Sequence, residues 1–164
     1  MRPQLGDVAL AIEEEYQKYL GPVLQTLSSA SALSLQAQQR APTDDAMADY
    51  NNELREGIFE AYAGIMAGLS PVTLASFPRE LVTQMLQLLQ GVARDEYKTP
   101  EVCRAATNFM GDLARYVPST KATWQAAENS EWISMLVQAC QSVEDGQEAA
   151  GYAAGAIKGA INGS

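Results

Sequence analysis

The sequence predicts an all-α fold. Hydrophobic residues make up 47% of its 164 residues, which is enough to form one domain with a core. Apolar residues recur at intervals of three and four along nearly every segment, and the alternation typical of strands is absent. Two prolines, Pro71 and Pro100, follow serine or threonine where these patterns are interrupted, as at helix starts. We therefore expect a single helical domain over residues 1–164.

The first part of the chain predicts two helices and a long loop. Residues 4–12 have helical spacing up to an acidic run, and a second helical pattern covers about 14–30 with a Gly-Pro pair inside it. The stretch 28–43 is rich in Ser, Ala and Gln and ends in an Ala-Pro pair, so we expect its later part to be a loop. Thr43 or Asp44 is expected to cap the next helix.

Residues 45–69 predict one long helix with two different faces. Five carboxylates recur every three or four residues and therefore share one stripe: Asp45, Asp49, Glu53, Glu56 and Glu60. An apolar stripe lies on roughly the opposite side: Tyr50, Leu54, Ile58, Ala61 and Ile65. Like charges at this spacing repel by a few tenths of a kcal/mol per pair. The acidic stripe is therefore either a solvated outer face or a surface that binds a basic partner.

The rest of the chain predicts further helices. Ser70-Pro71 and Thr99-Pro100 each combine an N-cap residue with proline at the first helical position. A Phe-Pro pair interrupts the chain between them, and the helix that follows Thr99 is expected to stop before Pro118. The last three helices are expected to be a short one near 120–128, one that starts at Ser130-Glu131, and an Ala/Gly-rich one that starts at Asp145.

Composition argues against most enzyme classes and several partner classes. The chain has no histidine, which removes the commonest general base and metal ligand, and it has no Gly-rich phosphate loop, CxxC or HExxH motif. The neighbouring Glu53 and Glu56 are read as surface acids, so we predict no catalytic centre, no metal and no cofactor. The net charge of −9 repels nucleic acid and anionic membranes and favours basic protein segments as partners.

The sequence also predicts the compartment. It has no run of 18 apolar residues, and its N-terminus lacks the arrangement of a signal peptide. Cys103 and Cys140 lie on helical patterns and are expected to be buried, reduced side chains. We therefore expect an intracellular protein that does not insert into membranes.

A glycine recurs late in alternate helices. The four positions are Gly6, Gly64, Gly111 and Gly155, separated by 58, 47 and 44 residues. Two-helix solenoid repeats have periods of about 40–47 residues, and small residues at a fixed position would let neighbouring helices approach closely. The spacing favours an α-solenoid of three to four helical hairpins, with a plain helix bundle as the alternative.

Three segments resemble the importin-β (karyopherin-β) family of nuclear import receptors, in the same order as in that family. They are RPQLGDVALAIEEEYQKYLGPVLQTLSSAS, MADYNNELREGIFEAYAGIMAGL and VCRAATNFMGDLARYV. The resemblance implies HEAT-type hairpins in a right-handed superhelix, with the second helix of each hairpin on the concave side. It also implies that this chain is the C-terminal portion of a longer receptor.

In this family the C-terminal repeats bind the basic importin-β-binding segment of importin-α through acidic and aromatic side chains. Four acids of the stripe are the best candidate contacts: Asp49, Glu53, Glu56 and Glu60. Asp7 and Asp112 follow two of the repeated glycines and either line the same surface or make intramolecular contacts, the second being favoured. Tyr152 lies where the family has a tryptophan. Trp132, near Trp124, is expected in the core, with ligand contact as its alternative.

The resemblance further implies location and partners. A receptor of this family works between cytoplasm and nucleus and associates with the nuclear pore. The regions that bind the GTPase Ran and most nucleoporin repeats would lie in upstream repeats that have no counterpart here. Two other interpretations stay open: a HEAT-repeat scaffold of another kind, such as a phosphatase regulatory-subunit-like organiser, and a truncated gene product without independent function.

Overall fold

The all-α prediction is confirmed. The computed structural model describes residues 5–40 and 45–163, with side chains from residue 15 onward, and this part of the chain contains helices and no strand. The helices are α1 (Leu5–Gln39), α2 (Asp45–Gly68), α3 (Pro71–Ala75), α4 (Arg79–Arg94), α5 (Pro100–Tyr116), α6 (Lys121–Gln125), α7 (Ser130–Gln141) and α8 (Gly146–Asn162). Two short 3₁₀ turns, Pro118–Thr120 and Ala127–Asn129, flank α6.

The long helices form three stacked hairpins. The hairpins are α1/α2, α4/α5 and α7/α8, and each packs on the next along the chain. The first helices, α1, α4 and α7, contact one another in one layer, and the second helices, α2, α5 and α8, contact one another in the other. This arrangement is a HEAT-like solenoid, which agrees with the three to four hairpins predicted from the glycine spacing.

The middle hairpin carries the centre of the core, because it has a neighbour on each side. Leu88 and Leu89 of α4 and Phe109 of α5 are fully buried. The Phe109 ring lies 5.3 Å from the ring of Phe59 and 5.4 Å from that of Tyr62, both on α2. Burying such rings stabilises the contact between hairpins by about 1.5–3 kcal/mol per side chain.

The predicted helix starts that contain proline are confirmed. The Ser70 hydroxyl accepts the backbone N–H of Thr73 at 3.3 Å, and the Thr99 hydroxyl accepts that of Val102 at 3.4 Å. In both cases proline occupies the first helical position, where its missing N–H costs nothing. The cap predicted at residues 43–44 lies outside the described residues.

The prediction of two helices and a loop before residue 43 was wrong, because α1 runs without a break from Leu5 to Gln39. Glutamate is a good helix former, so the acidic run does not end the helix. Serines around the predicted end of the second helix donate to carbonyls one turn earlier, Ser29 to Gln25 and Ser31 to Leu27. Tertiary packing then holds this stretch as a helix, since Ser34 is buried against α2.

The apolar stripe predicted on α2 is only partly correct. Ile58 and Ile65 are buried, whereas Tyr50 is 64% exposed. The centre of the buried face lies further round the helix and includes three polar residues, Asn51, Asn52 and Arg55. The face has moved because α2 packs on α1 and α5 at once, and the polar residues find hydrogen-bond partners there.

The repeated glycines do not share one role. A Cβ atom at Gly111 would lie 2.7 Å from the Tyr152 ring, so the close approach predicted here is confirmed. Gly64 and Gly155 have open space where a Cβ would be, so the prediction is wrong for them. Gly6 lies in the part of α1 whose side-chain surroundings are not described, so the prediction stays untested there. A tight approach that the repeat did not predict occurs at Gly146, where a Cβ would meet the Cys140 carbonyl oxygen.

Both tryptophans belong to the core. Trp124 is 5% exposed and Trp132 is 1% exposed, and their rings lie 6.3 Å apart. The alternative in which Trp132 contacts a ligand is therefore wrong, because the ring belongs to the core where α7 packs on α4, α5 and α8. Cys103 and Cys140 are buried free thiols, as predicted, and burial raises the pKa of the Cys103 thiol.

Candidate protein-binding surface

The acidic stripe lies on the outside of α2. Asp49, Glu53 and Glu60 are exposed, and Glu56 is half-buried. Asp45, at the start of the helix, is exposed as well. The helix that carries the stripe, α2, belongs to the layer formed by the second helices and packs on α5 within that layer. The sequence pattern therefore correctly predicted a continuous exposed row of carboxylates.

In the part of the chain that the structure describes, no salt bridge involves this row. The ion pairs there are Lys18–Glu15 on α1 and Arg55–Asp95 in the interior, and neither involves the stripe. The exposed face of α5 carries Arg104 and Arg115, so negative charge is concentrated on the first hairpin of the layer. A row of carboxylates of this kind attracts a cationic segment over a distance of about one Debye length, about 8 Å at physiological salt.

A buried polar network holds α2 in place beneath the stripe. Arg55 is fully buried and donates to Asp95 at 2.5 Å, to the Gln38 side chain at 2.7 Å and to the Ser34 hydroxyl at 3.0 Å. Asn52 donates to the Tyr97 carbonyl at 2.7 Å. These contacts tie α2 to α1 and to the α4–α5 connection, so the carboxylates are presented from a rigid helix.

Sequence reasoning did not find this network. The only signal in the sequence was the position of Arg55, one helical turn before Phe59 and on the same buried face of α2. Helical spacing alone does not distinguish a buried arginine from an exposed one, because its long side chain is normally expected in solvent.

The structure brings together two predicted contact residues that lie far apart in sequence. The Tyr152 hydroxyl of α8 donates to the Asp112 carboxylate of α5 at 2.7 Å. Burial raises the pKa of Asp112, against the lowering effect of this hydrogen bond and of Arg115. Burial and the nearby carboxylate raise the pKa of Tyr152 to about 12. The pair joins the second and third hairpins, which is the intramolecular type of contact favoured for Asp112.

The remaining predicted contact, Asp7, lies in the part of α1 whose side chains are not described. Among the described residues no group of three or more acidic or cysteine side chains is arranged to hold a metal ion. Within the same ranges, no helix is long and apolar enough to cross a membrane. The exposed carboxylates on α2 can accept charge-assisted hydrogen bonds from a cationic group.

Comparisons with known proteins agree with this architecture. A family described as importin subunit beta-1-like, TPR repeats, matches residues 3–141. Importin subunit beta-1 of Arabidopsis thaliana is 34% identical over 161 residues, which cover 96% of this chain and 18% of the relative. Importin subunit beta-1 of Schizosaccharomyces pombe is 33% identical over 132 residues, covering 80% and 15%.

The three-dimensional comparison gives the same result. A crystal structure of importin beta in an ammonium sulfate condition superimposes with a TM-score of 0.75 at 25% identity. The match covers 95% of this chain and 18% of that one. The chain therefore spans less than a fifth of the length of these relatives.

Proposed function

The chain belongs to the importin subunit beta-1 family of nuclear import receptors, and we propose that its acidic face on α2 binds a basic protein segment during import into the nucleus. The segment is the basic importin-β-binding region of importin-α or a cargo signal of similar charge. The observation that carries the proposal is the exposed, unneutralised row of carboxylates on a helix of the second layer. The family membership favours this function over a HEAT scaffold of another kind.

Binding follows from charge and geometry. A helical ligand rich in Arg and Lys lies along α2 and donates charge-assisted hydrogen bonds to Asp49, Glu53, Glu56 and Glu60. The aliphatic stems of these cations bury apolar surface between the charges. Because successive acids on α2 repel one another in the free protein, the ligand also relieves that repulsion.

Asp7, Asp112 and Tyr152 are the remaining proposed contacts. Asp112 and Tyr152 support it through their mutual contact, which holds α8 against α5. Tyr152 is half-buried, so part of its ring faces outward and offers a surface for stacking a cation. Asp7 adds a further carboxylate to the first hairpin.

Within the cell, we place this function between cytoplasm and nucleus and at the nuclear pore. Contacts with Ran and with nucleoporins are assigned to upstream repeats of a longer receptor. The function is that of a transport receptor without catalytic activity.

The test is a titration of the purified chain into a fluorescein-labelled peptide of the importin-α N-terminal segment, followed by anisotropy. Both tryptophans are buried, on α6 and α7 and away from α2, so a labelled ligand reports binding at α2 better than intrinsic fluorescence. Replacing Glu53→Lys and Glu60→Lys together is expected to weaken binding by about 2 kcal/mol, roughly thirtyfold. Raising the salt from about 0.05 M to about 0.5 M is expected to weaken binding to the unmodified chain.

The matched control reverses two exposed acids outside the layer of second helices, Glu128→Lys and Glu144→Lys. This control changes the net charge by the same amount and is expected to leave the affinity within about threefold. An equal loss in both double variants would mean that only net charge matters, and the proposed surface on α2 would then be rejected.

A further inference from the structure

A second concave surface lies away from the acidic stripe. A cavity of about 640 Å³ opens where the end of α1, the start of α2 and the α4–α5 connection meet. Its volume falls within the range of sites that enclose a ligand side chain or a small molecule, about 300–1,000 Å³. The buried network around Arg55 forms its floor, since Asn51, Gln38 and Asp95 line the cavity and also belong to that network.

The walls of the cavity carry an unusual share of exposed apolar surface. Leu33 from α1, Met47 from α2 and Tyr97 from the α4–α5 connection line it and are 61%, 51% and 54% exposed. Ala37 and Ala48 lie between them and leave the cavity open. Large apolar side chains that converge on one concavity from three elements indicate a binding site more strongly than the same residues scattered singly.

The rim of the cavity has the opposite charge character to the rest of the chain. Arg40 and Arg94 are exposed on it, against one exposed acid, Glu96. The second acid in the cavity, Asp95, is buried, and its carboxylate accepts from Arg55 and from the Tyr97 backbone N–H. In a chain of net charge −9, this local excess of guanidinium groups favours an anionic ligand.

We propose that this cavity docks an acidic peptide segment that inserts one large apolar side chain between Leu33, Met47 and Tyr97. Carboxylates on either side of that side chain pair with Arg40 and Arg94 at the rim. The site is separate from the acidic face on α2 and takes a ligand of opposite charge. It therefore allows the chain to hold a basic and an acidic segment at the same time.

The test uses three fluorescein-labelled pentapeptides, measured by anisotropy against the full chain. The sequences are Glu-Glu-Phe-Glu-Glu, Gln-Gln-Phe-Gln-Gln and Glu-Glu-Ala-Glu-Glu. The first is expected to bind at least about fivefold more tightly than the second, which lacks the charges, and than the third, which lacks the apolar anchor. Equal binding of the neutral peptide would overturn the proposal in favour of a purely apolar partner.

Two variants, each with a matched control, locate the binding. Ala48→Trp fills the cavity and is expected to abolish binding, whereas Ala122→Trp places the same side chain on exposed α6 and is expected to preserve it. Arg94→Glu is expected to weaken binding at least about fivefold, whereas Arg104→Glu, on the exposed face of α5, is expected to have little effect.

Three results would reject the site. The first is unchanged binding in Ala48→Trp, and the second is an equal loss of binding for the two arginine variants. The third is a sedimentation measurement that shows the unmodified chain to be a dimer and the Ala48→Trp variant to be a monomer. The last result would assign the cavity to a second copy of the chain. Circular dichroism of each variant confirms that a loss of binding does not come from unfolding.

Discussion

Replacing Arg55 with methionine removes the centre of the network that joins the first two hairpins. The Arg55 side chain is fully buried and makes three hydrogen bonds, to Asp95, Gln38 and Ser34. Methionine is shorter than arginine but similar in volume, so the effect of Arg55→Met comes mainly from lost polar contacts.

The size of the effect follows from what is left behind. In the variant the buried Asp95 carboxylate keeps only the Tyr97 backbone N–H as a partner. Leaving one member of a buried ion pair without the other costs about 3–5 kcal/mol. For a domain of this size, a loss of about 4 kcal/mol lowers the midpoint of thermal unfolding by roughly 10 °C.

The assay is urea unfolding followed by circular dichroism for the original chain, Arg55→Met, and the double variant Arg55→Met/Asp95→Asn. Asparagine keeps an acceptor for the Tyr97 N–H but carries no charge, so the double variant is expected to recover about 2 kcal/mol of the loss. If the single and double variants were equally unstable, the uncompensated carboxylate could not be the cause, and this reasoning would be refuted.

Two further predictions concern the contact between the second and third hairpins. Gly111→Ala is expected to lower the free energy of unfolding by about 1–3 kcal/mol, because its Cβ would meet the Tyr152 ring at 2.7 Å. The control is Gly155→Ala, where a Cβ has open space. Calorimetry should show this control to be neutral or stabilising by up to about 1 kcal/mol. Burial raises the pKa of Asp112 above its unfolded value, so this group stabilises the folded state relative to the unfolded state as pH falls and loses that contribution as pH rises through its folded pKa. Tyr152→Phe removes the hydroxyl that donates to Asp112, so the pKa of the Asp112 carboxyl, measured by NMR titration, is expected to rise further. An unchanged titration midpoint would contradict the role given to this hydrogen bond.

Much of the fold was predictable because it depends on local signals. The starts of α3 and α5 follow from serine or threonine before proline, which fixes a backbone angle and a capping bond within four residues. The end of α1 was not predictable in this way. Its last part combines serines with the helix formers Ala, Leu and Gln, and Ser34 and Gln38 bond it to α2 and α4.

The candidate surface shows the same division. Helical spacing placed Asp49, Glu53 and Glu60 on one face, and the structure exposes all three. Nothing in the spacing of Asp112 and Tyr152 indicated that they touch, because they lie 40 residues apart on different helices. Their use in binding the proposed ligand stays a prediction.

The sequence by itself determined the helical class, the register of the acidic stripe and, through its resemblance, the family. These depend on periodicity, capping and residue identity, all of which act over a few neighbouring positions or can be read directly. Only the tertiary structure decided which glycine needs to be a glycine, that Arg55 is buried, and that a cavity with a cationic rim opens beside Leu33. Each of these depends on which helices meet, and contacts between distant segments leave no fixed spacing in the chain.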